Sequence, residues 1–353
     1  MNRQSGFPPD PGEPAGVAGV ASAAEGHIRD LLTLAIGHVL GRRALVVSDA
    51  RCGLAQILTA AYRACLPEAT HLDFDRVPVE AVMAAFAALG PGDLVVLVQS
   101  TSFRLEAFRI RVELFKRGLA VIEHPHLARM QPEEYPRYVA ALAYDPGYYR
   151  VVGPALKARI DRARRAVVAS GEGQTLVYDG AFEPAKLNIG DYAGMKNVGG
   201  QFPIGEVFTE PRSLLSASGR VCIFAFGDAN FHVNLPPRPI TLVVEQGKVV
   251  HAIDATPAFD DVLAQIRADE EPWVRELGFG MNRAFTRDAR VSDVGTYERM
   301  CGIHLSLGAK HAVYAKPELP RKHGKYHVDV FAVTESVHLD DTQIFRDGAW
   351  LLP

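Results

Sequence analysis

Cysteine is scarce in this chain and scattered where it occurs. Four residues (Cys52, Cys65, Cys222, Cys301) appear with no CxxC pair. That pattern excludes a zinc knuckle and a disulfide framework, and a reducing cytoplasm is the expected compartment. No apolar run approaches the ~20 residues that a membrane helix needs. The N-terminus lacks the basic-then-apolar pattern of a signal peptide. Basic charge is not in excess: 38 Lys and Arg against 41 Asp and Glu leave a net charge of −3. A nucleic-acid partner needs a basic surface to neutralise phosphate, so neither nucleic acid nor membrane is an expected partner. No GxGxxG or GxxxxGK[ST] follows a predicted strand, which argues against the usual phosphate loops.

What the chain does have is apolar mass. Hydrophobic residues make up 48% of 353 positions and charged residues 22%, enough for a sizeable core in one large or two modest domains. Residues 1–24 are rich in Gly, Pro, Ala and Ser and are expected to be a disordered tail. Apolar residues at helical spacing predict an amphipathic helix over His27–Leu40. Arg43–Ser48, Ala69–Phe74, Asp93–Gln99 and Leu119–Glu123 read as strands, with helices over Gly53–Cys65, Val79–Leu89 and Glu106–Lys116 between them. Alternating strands and helices predict a parallel sheet in a layered α/β domain, residues 25–170. Helical segments over Tyr135–Ala143 and Pro154–Arg165 are expected, broken by Asp145-Pro146-Gly147.

After Ser170 glycine becomes denser and strands dominate: Thr175–Tyr178, Arg220–Phe226, Ile240–Glu245 and Val249–Ile253, the last two joined at Gln246-Gly247. Pro257–Ala268 reads as one helix. This α+β part, residues 171–353, is the expected metal-binding catalytic domain, and the overall fold class is α/β.

Candidate chemistry concentrates there. Cys301–Gly308 and Lys325–Phe331 read as strands with polar residues at alternate positions. Strand side chains alternate between faces, so His304 shares a face with Ser306, and His327 shares one with Asp329. Glu206 follows a Gly/Pro loop, and Glu276 precedes Gly278 and Gly280 in a stretch that leaves space beside a carboxylate. Oxygen and nitrogen donors without sulfur suit Zn, Mn, Co or Fe, and three carboxylates balance much of the charge of two divalent ions.

The stretches PIGEVFTEP (Pro203–Pro211), ELGFGMN (Glu276–Asn282), GIHLSLG (Gly302–Gly308) and YHVDV (Tyr326–Val330) resemble, in this order, the metal-dependent aminopeptidase family of aminopeptidase T and aminopeptidase S. The resemblance covers mainly the C-terminal half. It implies a pair of divalent metals on Glu206, Glu276, His304, His327 and Asp329, a small peptide or small-molecule substrate, and a homodimer. It also implies a functional acidic residue near Glu298, as general base or sixth ligand. The family's functional Tyr falls by count on His311, with Tyr314 three residues on, so either is a candidate for stabilising an oxyanion. A second stretch, LAVIEHPHLARMQPEEYPRYVAAL (Leu119–Leu142), is similar to dihydroxypyridine ring-cleaving dioxygenases, which hold one Fe(II). Their iron set implies roles for Ser306, His327 and Asp329, with His in place of Glu276. The expected activity is therefore a metal-dependent hydrolase, with the Fe(II) dioxygenase as the alternative.

Overall fold

The computed structural model describes residues 17–39, 41–105, 109–192, 194–311, 313–319 and 324–352. Its first sheet comprises β1 (Ala44–Ser48), β2 (Thr70–Asp73), β3 (Leu94–Val98), β4 (Ala120–His124) and, much later in the chain, β8 (Gly199–Gln201), in the order β2-β1-β3-β4-β8. All pairings are parallel. Every residue of β1 and β3 is buried, as expected of parallel strands covered on both faces. Alternate side chains serve different cores. Leu45, Val47, Val95 and Leu97 join Phe86 and Leu114 on one side. Val46, Val96 and Ile122 join a core that runs on through Leu277 and Val330.

Helices α1 (Val17–Asp30), α2 (Gly53–Cys65), α3 (Val79–Ala88) and α4 (Ile110–Lys116) belong to this half. Of the expected tail, 1–16 lies outside the described residues, whereas 17–24 are already helical and bury Val20 and Ala24. The helix as a whole packs on α2. The expected helix ends Leu40 and Glu106 also lie outside the described residues. The Asp145-Pro146-Gly147 break is instead a start: Asp145 caps α6 (Pro146–Ile160) by accepting from the Tyr148 N–H, and Pro146 takes the first turn. α5 (Tyr135–Ala140) precedes it.

The second sheet has 14 strands among the described residues, and its pairings are antiparallel. It includes β5 (Arg165–Ser170), β6 (Gln174–Asp179), β7 (Lys186–Asn188), β9 (Glu206–Thr209), β10 (Ala217–Gly227), β11 (Val233–Asn234), β12 (Ile240–Glu245) and β13 (Lys248–Ile253). After α7 (Pro257–Asp269) come β14 (Val274–Gly280), the short α8 (Val294–Tyr297), β15 (Gly302–Leu307), β16 (Val328–Ala332), β17 (Thr334–Leu339), β18 (Thr342–Arg346) and β19 (Ala349–Trp350). The mixed α/β fold class is as the sequence predicts. β12 and β13 form the expected hairpin, with both turn residues at positive φ, Gln246 at 48° and Gly247 at 77°. β5 starts at Arg165, inside the helix expected over Pro154–Arg165, and its register on β17 draws it into the large sheet.

Candidate metal centre

Four adjacent strands, in the order β16-β15-β14-β9, carry the candidate ligands. Pairing register puts them on one face. Asp329 lies opposite Ser306, His304 opposite Gly278, and Glu206 opposite Gly280. Glu206 is therefore the first residue of a strand rather than part of a glycine loop. Gly278 supplies space: a Cβ there would lie 1.9 Å from Cε1 of His304, so the imidazole occupies the volume that a side chain would fill.

The register slips by one residue between Val274 and Leu277, a β-bulge that contains Arg275 and Glu276. Consecutive side chains of a regular strand point to opposite faces. Here both turn inward and both are buried. The Glu276 N–H donates to Ser306 Oγ at 3.0 Å.

Glu206, Glu276 and His304 each offer a ligand atom, and the three atoms lie within 4.8 Å of one another. His304 Nε2 is 3.3 Å from Glu206 Oε1 and 3.4 Å from Glu276 Oε1. His311 Nε2 is 2.7 Å from the other oxygen, Glu276 Oε2. His327 and Asp329 form a pair of their own, Nε2 to Oδ1 at 3.1 Å, and the His327 ring stacks on His311 with centroids 5.8 Å apart. His327 lies just before β16, not within it. Its neighbour at the next position, Val328, opens the strand.

Burial opposes charge on these imidazoles, but the carboxylates prevail. Hydrogen bonds donated to Glu206 and Glu276 raise the His304 pKa to about 10, and Asp329 raises that of His327 to about 9. His311 is raised by Glu210 and Glu276 against the same burial. Burial pushes the Glu276 carboxyl up, but hydrogen bonds from His304 and His311 hold it well below the usual carboxylate range.

Glu298 follows α8, pairs with Arg299, and lines a cavity of about 580 Å³ together with His327 and Asp329. Arg104, Arg111, His126 and Arg129, from segments that follow β3 and β4, line its other side. The cavity thus lies at the carboxyl ends of parallel strands, where open α/β sheets hold ligands. Tyr314 is not brought to the cluster by its hydroxyl, which donates to the Pro184 carbonyl at 2.8 Å.

Sequence reasoning missed a buried charge network beside the cluster. Glu210 is fully buried between Arg275 (3.0 Å) and Lys316 (3.3 Å), and it also meets His311 Nδ1. Lys316 reaches Glu183 at 2.8 Å. A signal for Glu210 existed: it lies four residues after Glu206, so strand alternation puts both on one face. Arg275 had none, since the bulge that turns it inward breaks alternation.

No family model matches the chain, and no curated protein matches it. Solved structures do. The 2,5-dihydroxypyridine dioxygenase from Pseudomonas putida superposes with a TM-score of 0.62 at 17% identity, covering 96% of this chain and 99% of that one. AmpT from Thermus thermophilus, an aminopeptidase, superposes with a TM-score of 0.56 at 14% identity, covering 94% and 99%. These likenesses establish the fold that the chain shares with both. Among the described residues no helix is long and apolar enough to cross a membrane.

Proposed function

We propose that the chain is a metal-dependent hydrolase that cleaves an amide, either an N-terminal peptide bond or that of a related small molecule. Glu206, Glu276 and His304 would hold divalent metal, joined on the cavity side by His327 and Asp329. One observation carries the reading. Two carboxylates, each about 5% exposed, converge with no Lys or Arg reaching either among the described residues; their partners are imidazoles. Burying paired carboxylates costs several kcal/mol unless a cation neutralises them, and the only groups among the described residues that face this pair and can carry or bind one are imidazoles, which take up a proton or share a metal ion. Glu210 is the contrast, since it is equally buried but neutralised by Arg275 and Lys316. The hard oxygen and borderline nitrogen donors fit Zn, Co or Mn, and three carboxylates fit two such ions.

Metal bound there supplies Lewis acidity and a water of lowered pKa. Glu298, facing the cavity beside His327 and Asp329, is the carboxylate available to take a proton from an attacking water. A small peptide or other small molecule fits the cavity volume. A homodimer in the cytoplasm, without nucleic acid or membrane as partner, completes the reading.

A second reading has its own support. His304 and Asp329, on adjacent strands with Ser306 opposite Asp329, would make with His327 a two-His-one-carboxylate set suited to Fe(II) and ring-cleaving dioxygenation of a dihydroxypyridine-like substrate. Assays of protein reconstituted with each metal separate the two. Amine release from aminoacyl amides or short peptides with Zn, Co or Mn is the expected result. Oxygen consumption on a dihydroxypyridine that requires Fe(II), with no amine release under any metal, would overturn the hydrolase.

A further inference from the structure

We propose that His311 is a metal-binding residue, positioned for that role by Glu210 and Arg275. The proposal rests on the metal-centre reading above and adds to it a donor outside the Glu206–Glu276–His304 group. Its starting point is the way Glu276 divides its two oxygens. Oε1 faces His304 Nε2, and Oε2 faces His311 Nε2 at 2.7 Å. The carboxylate thus has an imidazole on each side, and His304 and His311 would each be placed to share a cation with it.

The ring of His311 is held from behind. Glu210 pairs with Nδ1, and Nε2 is the nitrogen turned toward Glu276. Metal-bound histidines almost always donate their second N–H to a carboxylate or carbonyl in this way, and that fixes the tautomer and the ring plane. Glu210 is itself immobile. Arg275 and Lys316 face it from two sides, so two cations already pair with it apart from His311. A purely structural role for the Glu210–His311 pair therefore gains little.

The backbone that carries His311 is fixed by the same arginine. Arg275 donates to the carbonyls of Ala309, of His311 at 3.1 Å and of Tyr314 at 2.6 Å. The β14 bulge explains how this is possible. It turns Arg275 and Glu276, neighbours in sequence, to the same interior, so one residue holds the loop while the next faces the loop's imidazole. Imidazole beside carboxylate selects a borderline divalent ion such as Zn²⁺ or Co²⁺.

Zn²⁺ titration by calorimetry of the full chain, stripped with chelator, tests this. Wild-type protein is expected to show two classes of site. His311→Ala should keep one and weaken the other about 10–100-fold, the range for loss of a metal-site partner, and added imidazole should restore it. His311→Asn, which fills the same space, checks that any loss is not due to collapse of the loop. Glu210→Asp keeps the charge but withdraws the oxygen from Nδ1, and should weaken the same class by about tenfold. Circular dichroism establishes that each variant is folded. Wild-type stoichiometry and affinity in folded His311→Ala would overturn the role of His311 and leave the metal centre standing. No Zn²⁺ bound by wild-type protein would overturn both.

Discussion

Gly278 shows most plainly how single residues make the site. The sequence suggests that its missing side chain leaves room for a ligand. The room is in fact taken by the His304 imidazole. Gly278→Ala should therefore displace a ligand side chain. The expected cost is about 1–3 kcal/mol, as for overpacking a buried site, read from urea denaturation, together with a fall in bound metal. Glu276→Gln tests the other side of the same contact. It removes a charge that faces two imidazoles, so metal loading should be lost while the fold survives, as elemental analysis of the purified variant would record. Unchanged metal content in that variant would refute the ligand assignment. His124 titrates away from the site. It is fully buried, with Nε2 2.7 Å from the Tyr62 hydroxyl and Nδ1 2.9 Å from that of Tyr138, and burial lowers its pKa to about 3. The unfolded chain binds that proton near pH 6.5 and the folded chain does not. Its contribution is complete above pH 6.5 and is lost as pH falls toward 3. Stability should drop by about 3 kcal/mol between pH 7 and 4.5 on this account, and the pH dependence of the urea midpoint should flatten in that range in His124→Asn.

At the scale of elements, legibility followed locality. The buried Val/Leu run of β3 and the Gln246-Gly247 hairpin are written in consecutive residues, and both are where the sequence puts them. The expected face shared by His304 and Ser306 also holds, because alternation within one strand needs no partner. What the sequence did not reveal depends on distant pairing. The bulge at Arg275–Glu276 exists only as a mismatch between β14 and β15. β8 joins a parallel sheet whose other strands precede it by 75 residues or more, counting from the end of β4 at position 124 to the start of β8 at 199. Its two glycines read as loop because neither has a side chain to give it a strand's pattern. In sequence Asp145 reads as part of a break between helices, although Asp-Pro is equally a helix start. Asp145→Ala should cost about 1 kcal/mol of stability through loss of the α6 cap, measured as a shift in denaturation midpoint without change in metal content. A change in metal content would mean that loss of the cap is transmitted through the contact of α6 with β9, the strand of Glu206.

Across the whole molecule, the candidate metal centre is a product of the large sheet and the cavity is a product of both sheets. The core that contains Val46 and Val96 of the parallel sheet continues without interruption to Leu277 and Val330, which flank the ligand strands. On the proposed reading, metal bound at the ligand strands would therefore stabilise the fold as a whole. In the metal-free protein, protonated imidazoles stand where cations would. His304 keeps its proton to about pH 10 and His327 to about 9. Metal must displace those protons, so affinity should rise as pH rises from 6 to 9, about tenfold per unit for each proton released. Calorimetry in buffers of different ionisation enthalpy would count them. Chelation should lower the melting temperature, because an ion at 100 times its dissociation constant contributes about 3 kcal/mol. The five candidate ligand residues stand in motifs that are each short and local. Their division into a buried trio and a cavity-side pair is not local, since it depends on which strands become neighbours.

The central claim is a metal centre at Glu206, Glu276 and His304. Elemental analysis of protein purified without chelators tests it most directly. The account predicts close to two equivalents of Zn, Co or Mn per chain, lost in Glu276→Gln. Protein that carries no metal and keeps its full melting temperature in excess chelator would contradict it.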